Sequence, residues 1–264
     1  METITRLPLF QGKPLIKIPE FIPQIGFLEG DFGEAFFDEY RERARADYGG
    51  SRVLGVLRYE KGVVRGSNPF AVVLANQILR QEGLKIATQA DLEKALKIGA
   101  LNLQGLCEDT GLVLRTEEDK IHSKNNPLAR NLGSQLEARG IEFSPKNPLM
   151  IPLTELELEK TADNIYRLNF KLRKDAELYK APILAKGGKF NSKDIDEKTG
   201  LPRQMRCPGD RRLYTRSSGL SRLCLDGMLG LYSSSWGLAA SSGGGRIVVV
   251  SAEGTSPKEQ GGVQ

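Results

Sequence analysis

The 264-residue sequence predicts an α+β fold, with a helical amino-terminal half and an antiparallel β-rich carboxyl-terminal half. Apolar residues recur at helical spacing through much of residues 31–140, and capping residues precede them. From Leu153 the period changes to two, which is typical of half-buried strands. After Gly200 the composition changes again, to arginines without lysine over 203–222 and a Ser/Gly-rich segment over 217–245. These observations place helices first and short strands last.

The chain is long enough to bury a sizeable core in one large domain or two small ones. We expect an extended arm over residues 1–30, a mixed region of helices and a hairpin over 31–150, an antiparallel β-rich region over 151–252 and a disordered tail over 253–264. The prolines of the arm remove backbone donors, and the apolar residues between them need a surface to pack on. That surface belongs either to the same chain or to a second subunit, so residues 1–30 also predict a homo-oligomer contact.

Local signals place four helices between residues 31 and 140. Short strands are predicted over 53–59 and 63–65, where they form a hairpin, and around 101–106 and 112–115. The helix starts are marked by residues that favour a first turn: Asp31 with Glu34, Asn68 or Ser67 with Pro69, Thr88, and Asn126 with Pro127.

Residues 153–173 predict an antiparallel hairpin, because leucines and aromatic residues alternate there with charged ones. Residues 186–210 are rich in Gly, Lys, Asp and Pro and predict a long loop, and residues 247–250 suit a buried strand. A turn centred on Asp163 would pair Leu156 with Phe170, Leu158 with Leu168, Glu157 with Asn169 and Glu159 with Arg167.

The composition predicts a soluble, cytoplasmic protein with no cofactor and no membrane partner. Charged residues make up 27% of the chain and aromatic residues 7%, and the three cysteines form no Cys-x-x-Cys pair. The formal charge of +5 is uneven, because residues 201–264 hold eight Lys and Arg against four Asp and Glu, a net charge of +4. This imbalance favours an anionic partner for the carboxyl end, such as nucleic acid or an acidic protein.

A single histidine, His122, limits the enzyme classes that the chain can belong to. It lies in a polar stretch with no nucleophile signature nearby, so a surface histidine is the favoured interpretation. Hydrolases that rely on histidine, and metal sites with two histidines, are therefore disfavoured.

The arginines after Gly200 form the main ligand-binding candidate. If residues 211–216 form a strand, Arg212, Tyr214 and Arg216 share one face, and cations beside an aromatic ring suit a phosphate backbone with a stacked base. The alternative is that these arginines pair with surface carboxylates or pack along a rim of the sheet. The full candidate set for anion binding is Arg211, Arg212, Tyr214, Arg216 and Arg222.

A second candidate is the acidic group of Asp194, Asp196 and Glu197, whose oxygens are of the type that binds Mg²⁺ or Ca²⁺. The spacing falls short of an EF-hand loop, and a solvated turn before Gly200 is the favoured interpretation.

Three segments resemble a family of uncharacterised hypothetical proteins from small-genome archaea. They are GSNPFAVVLANQILRQEGLKIATQADLEKALKIGALNLQG, DIDEKTGLP and LYTRSSGLSRLCLDG. The resemblance spans most of residues 25–254 and implies a shared architecture, without an activity to carry over.

The sequence thus predicts a non-enzymatic binding or assembly protein that engages an anionic partner such as nucleic acid. The alternative is a metal-dependent enzyme that acts on a phosphate-bearing substrate. In that case Asp194, Asp196 and Glu197 would hold the metal, and the arginines of 211–216 would neutralise the phosphate.

Overall fold

The computed structural model describes residues 9–10, 13–14, 25–234, 237–241 and 243–251. Its α-helices are α1 (Gly30–Ala46), α2 (Pro69–Leu79), α3 (Gln89–Ile98) and α4 (Asn126–Glu137). The strands in the first half are β1 (Leu9–Phe10), β2 (Lys13–Pro14), β3 (Ile25–Phe27), β4 (Arg58–Glu60), β5 (Val63–Arg65), β6 (Leu84–Ile86) and β7 (Glu108–Leu114). Those that follow are β8 (Leu149–Pro152), β9 (Leu156–Lys160), β10 (Leu168–Leu172), β11 (Tyr179–Lys180), β12 (Gly188–Phe190), β13 (Arg211–Thr215), β14 (Leu220–Leu225), β15 (Leu231–Ser233) and β16 (Val248–Ser251).

The predicted division into a helical half and an antiparallel β-rich half is wrong. The four helices of the described chain are scattered among strands β3 to β8, and β7 lies inside a seven-stranded sheet whose other members come from residues 149–233. One strand pair of that sheet, β13 with β15, is parallel. The prediction failed because local periodicity reports the type of an element, whereas long-range burial decides which strands pair.

The seven strands follow the order β11-β8-β7-β14-β15-β13-β12. Every residue of β7 is buried, so this strand needs a packed layer on both faces. Leu112 and Leu114 join a first core with α1, α2, α4 and the β9–β10 hairpin. Val113, on the opposite face, joins a second core with α3 and the inner residues of β13, β14 and β15. The sheet is therefore the partition between two cores.

The capping signals of α2 and α3 are confirmed. The Asn68 side chain accepts a hydrogen bond from the Ala71 amide with Pro69 at the first helical position, and Thr88 forms a reciprocal capping box with Asp91. The predicted cap of α1 is wrong, because that helix begins at Gly30 after Glu29, which makes no side-chain cap. Residues 101–106, predicted as a strand, lie outside the strands of the described chain.

The β9–β10 hairpin is confirmed as antiparallel, but its register differs from the predicted one by two residues. Leu158 lies opposite Phe170 rather than Leu168. A shift of two keeps each side chain on its predicted face, because the strand period is two. The turn is longer than predicted, because β9 ends at Lys160 and β10 begins at Leu168, and Asn164 Nδ2 within it donates to the Leu168 carbonyl oxygen at 3.0 Å.

The end of the predicted arm belongs to a small sheet. Strand β16, which covers most of the predicted buried strand over 247–250, lies between β3 and β6 and pairs antiparallel with both. Most of residues 1–24 and the predicted tail 253–264 lie outside the described residues, so the oligomer contact and the domain boundaries stay predictions. Among the described helices, none has the length and apolar character needed to cross a membrane.

A buried guanidinium group joins four segments of the large sheet. Arg115, which follows β7, has no exposed surface. It donates to Ser221 Oγ at 2.9 Å, Ser233 Oγ at 2.8 Å and Thr215 Oγ1 at 2.6 Å, and so contacts β14, β15 and β13. A weaker bond, at 3.4 Å, reaches the carbonyl oxygen of Leu184 in the helical turn Pro182–Ala185. Burial, followed by the charge of Arg216, lowers the pKa of Arg115 to about 9.

We expect Arg115→Met to destabilise the fold by about 3 kcal/mol or more, because it leaves several buried hydroxyl and carbonyl groups without their donor. Urea unfolding measures the change. Arg130→Ala is the control, since Arg130 is half-exposed in its ion pair with Glu118 and should change the free energy of unfolding by less than about 0.5 kcal/mol. Equal effects of the two substitutions would contradict a structural role for Arg115.

Candidate functional site

The alternation of β13 separates the predicted arginines. Leu213 is buried in the second core, and Arg211 and Thr215 lie on the same inner face as Leu213. Arg212 and Tyr214 therefore point outward. Arg211 and Arg212 are adjacent in sequence but lie on opposite faces of the sheet.

Arg211 is a structural charge. Its Nη1 and Nη2 atoms donate to the two carboxylate oxygens of Glu93 on α3, at 2.6 and 2.7 Å. Both side chains are less than a tenth exposed, and Gln89 Nε2 donates to the same carboxylate at 2.9 Å. The arginine also lies over the Phe190 ring, 5.0 Å from its centroid. This guanidinium is therefore bonded mainly to partners within the chain.

Arg216 and Arg222 are also engaged with buried carboxylates. Arg216 Nη1 lies 3.3 Å from Asp119, and Arg222 Nε lies 3.1 Å from Asp109. Arg222 further donates to the Ala240 carbonyl oxygen at 2.7 Å. Three of the five candidate residues, Arg211, Arg216 and Arg222, thus lie beside buried carboxylates of the same chain.

The outward residues form an exposed aromatic and cationic surface. The rings of Tyr214 and Tyr232 stack across the parallel β13–β15 pair, with centroids 4.3 Å apart and planes 27° apart. The Arg212 guanidinium lies 5.1 Å from the centroid of Tyr214. Lys189 of β12 lies opposite Arg212 in the register, and both cations are exposed. We call Lys189, Arg212, Tyr214 and Tyr232 the tyrosine platform.

The two tyrosines are partly exposed, so ring surface is available to a ligand. Burial, followed by the hydrogen bond and charge of Tyr214, raises the pKa of Tyr232. The phenol of Tyr232 therefore stays neutral at neutral pH and does not repel an anion. Sequence analysis missed Tyr232 and Lys189, because only the pairing of β15 and β12 with β13 brings them beside Arg212.

The acidic candidates do not converge on a common point that would hold a metal. Asp196 Oδ1 accepts bonds from the amides of Lys198 and Thr199 and from Thr199 Oγ1, which lower its pKa. Asp194 accepts from Gln204, and Glu197 faces Lys97 at 3.7 Å on the surface. Within the described part of the chain, no group of three Asp, Glu, His or Cys residues has a metal-binding arrangement.

One buried acid has the perturbed pKa that is common at catalytic sites. Glu108 is 4% exposed, and burial, followed by the charges of Cys107 and Asp109, raises its pKa well above the usual value. The cavity beside it measures only about 10 Å³. This volume is about that needed for one water molecule and leaves no room for a substrate. Glu108 is therefore a buried core acid rather than a catalytic one.

No family model, no curated protein and no solved structure matches this chain. The resemblance to archaeal hypothetical proteins stays a prediction, and the functional argument rests on the geometry of the site.

We expect Arg211→Ala to lower the free energy of unfolding by about 3–5 kcal/mol, because it leaves the buried Glu93 carboxylate without its partner. The adjacent Arg212→Ala is the matched control and should change stability by less than about 1 kcal/mol, since it removes only an exposed cation–π contact. Denaturant unfolding of the two variants measures the difference. A larger loss from Arg212→Ala would contradict the assignment of the two faces.

We expect Glu108→Gln to stabilise the protein at neutral pH. Because its pKa is raised, the native state favours the protonated form of Glu108. This preference contributes stability that is fully present below the pKa of the unfolded state, about 4.3, and is lost as the pH rises through the folded pKa. The advantage of the glutamine should therefore disappear in acid. Thermal unfolding from pH 4 to pH 8 measures it, with the exposed Glu137→Gln as control. An advantage that grows toward acid would contradict the burial argument.

Proposed function

We propose that this protein binds single-stranded nucleic acid on the tyrosine platform. The observation that carries the proposal is the stacked, partly exposed pair Tyr214–Tyr232 beside Arg212 and Lys189 on the outer face of three adjacent strands. Aromatic side chains on a sheet give unpaired bases a surface on which to stack. Neighbouring cations neutralise the phosphates that join those bases.

The geometry favours an unpaired strand over a double helix. The faces of the bases in a duplex are covered by their neighbours, so a tyrosine ring cannot stack on them without unstacking the helix. A single strand offers free base faces, and stacking contributes about 1–3 kcal/mol per base. Arg212 lies over Tyr214, and its planar fork suits the two oxygens of a phosphate group.

An acidic protein segment fits the same surface less well. Its carboxylates would engage Lys189 and Arg212 but would make no use of the two exposed rings. The metal-dependent enzyme is supported less well. Asp196, Glu197 and Arg211 line one cavity of about 930 Å³. However, Asp196 Oδ1 accepts hydrogen bonds within its own loop, Asp194 Oδ2 accepts from Gln204, and Arg211 is paired with Glu93. Cross-strand packing of the two tyrosines is the purely structural alternative, and it predicts no loss of binding when they are removed.

We expect Tyr214→Ala and Tyr232→Ala each to weaken binding of a labelled oligothymidylate by about tenfold, the loss of one stacked base. Fluorescence anisotropy at two salt concentrations measures the affinity, and circular dichroism verifies the fold. Tyr59→Ala is the control, because Tyr59 also stacks on an aromatic ring, that of Phe37, but lies on the separate β4–β5 hairpin. Absence of binding by the unchanged protein, or equal losses in all three variants, would contradict the proposal.

A further inference from the structure

A second basic surface is lined by a residue of the edge strand β11 and by the segments that flank β12. It is a groove of about 900 Å³ that includes the turn Pro182–Ala185 and the segment up to Arg203. Its floor is apolar, with Ile183 and Leu201 among the lining residues. Its charged lining is strongly asymmetric, with four cations against Asp196 alone: Lys146, Lys180, Lys186 and Arg203.

These cations are available to a ligand. All four are exposed, and none of them takes part in an ion pair within 4.0 Å among the described residues. Asp196 is ionised, since hydrogen bonds from Thr199 and then the charge of Arg203 lower its pKa, so it offsets one of the four positive charges and leaves the three lysines. A concave surface lined by one sign of charge concentrates the opposite charge, so the groove suits an anionic chain.

Two stretches of chain connect the groove to the tyrosine platform. Lys186 in the groove precedes Lys189 on β12 by three residues, a span of at most about 11 Å. The second stretch runs from Arg203 in the groove to Arg206, whose amide donates to the Lys189 carbonyl oxygen at 2.8 Å. Lys189 and the exposed Arg206 therefore bridge the platform and the groove.

We propose that the groove holds the phosphodiester backbone of the same strand whose bases stack on the tyrosine platform. The strand crosses the edge of the sheet at Lys189 and Arg206 and continues between Lys180 and Arg203. Apolar side chains on the floor of the groove form no hydrogen bonds with base edges, so recognition in the groove is by phosphate charge and independent of sequence. This inference rests on the proposed function and extends its site from a few nucleotides to a longer track.

The test compares labelled oligothymidylates of about 5 and about 20 nucleotides, lengths that bracket the site sizes common for single-strand binders. The longer strand should bind the unchanged protein at least about tenfold more tightly. In the variant Lys146→Ala/Lys180→Ala/Lys186→Ala, this gain should disappear while the short strand binds as before. The salt slope for the long strand should also fall by about 2, since each lost phosphate contact on a single strand contributes about 0.7.

The matched control removes three exposed lysines elsewhere, in Lys160→Ala/Lys171→Ala/Lys174→Ala, with the same loss of formal charge. It should keep the length dependence. If the control loses as much as the groove variant, net charge alone explains the effect and the groove is not a binding site.

Other outcomes separate this inference from the proposed function. If the short strand binds through the tyrosines but length adds nothing, or the gain survives in the groove variant, the groove inference is overturned and the platform stands. If the unchanged protein binds neither strand, the proposed function fails and the inference fails with it. Inorganic polyphosphate tests the source of the phosphate. If it binds the groove more tightly than a strand with the same number of phosphates, the assignment to nucleic acid is overturned.

Discussion

The guanidinium group of Arg115 is the constraint on which the large sheet depends. Its hydrogen bonds to Ser221, Ser233 and Thr215 hold the ends of three strands together, and its bond to the Leu184 carbonyl draws in the turn before β12. A buried donor group of this kind leaves several partners unsatisfied when it is removed. By fixing where β13 and β15 lie beside each other, Arg115 indirectly fixes the geometry of the surface that we assign to function.

Burial then determines the role of each arginine. Arg211 points inward to Glu93, and Arg222 is covered by the segment that contains Ala240, so both act as paired structural charges. Arg212 points outward beside Tyr214 and stays exposed. Arg211 and Arg212, adjacent in the sequence, thus lie on a buried and an exposed face because successive side chains of a strand alternate. The outward face of β13 thus offers both a ring and a cation.

The sequence predicted features that depend on local chemistry. The helix cap at Thr88 and the hairpin of β9 and β10 follow from residue types at short spacing. The overall architecture was not predictable in this way, because the parallel pairing of β13 with β15 and the central place of β7 are set by burial between distant segments. The same limit applies to the site. Alternation along residues 211–216 predicts that Arg212 and Tyr214 share a face, whereas the place of Tyr232 beside Tyr214 depends on the order of strands in the sheet.

Photochemical crosslinking tests the central claim most directly, because it reports which side chains touch the bases. A single-stranded oligonucleotide with photoreactive thymine analogues would be irradiated with the full chain, and the crosslinked peptides would be identified by mass spectrometry. The account predicts crosslinks at Tyr214 and Tyr232, which disappear when an unlabelled strand competes. Competable crosslinks confined to other parts of the chain, such as residues 1–24 or the face of α1, would show that the tyrosine platform is not the binding surface.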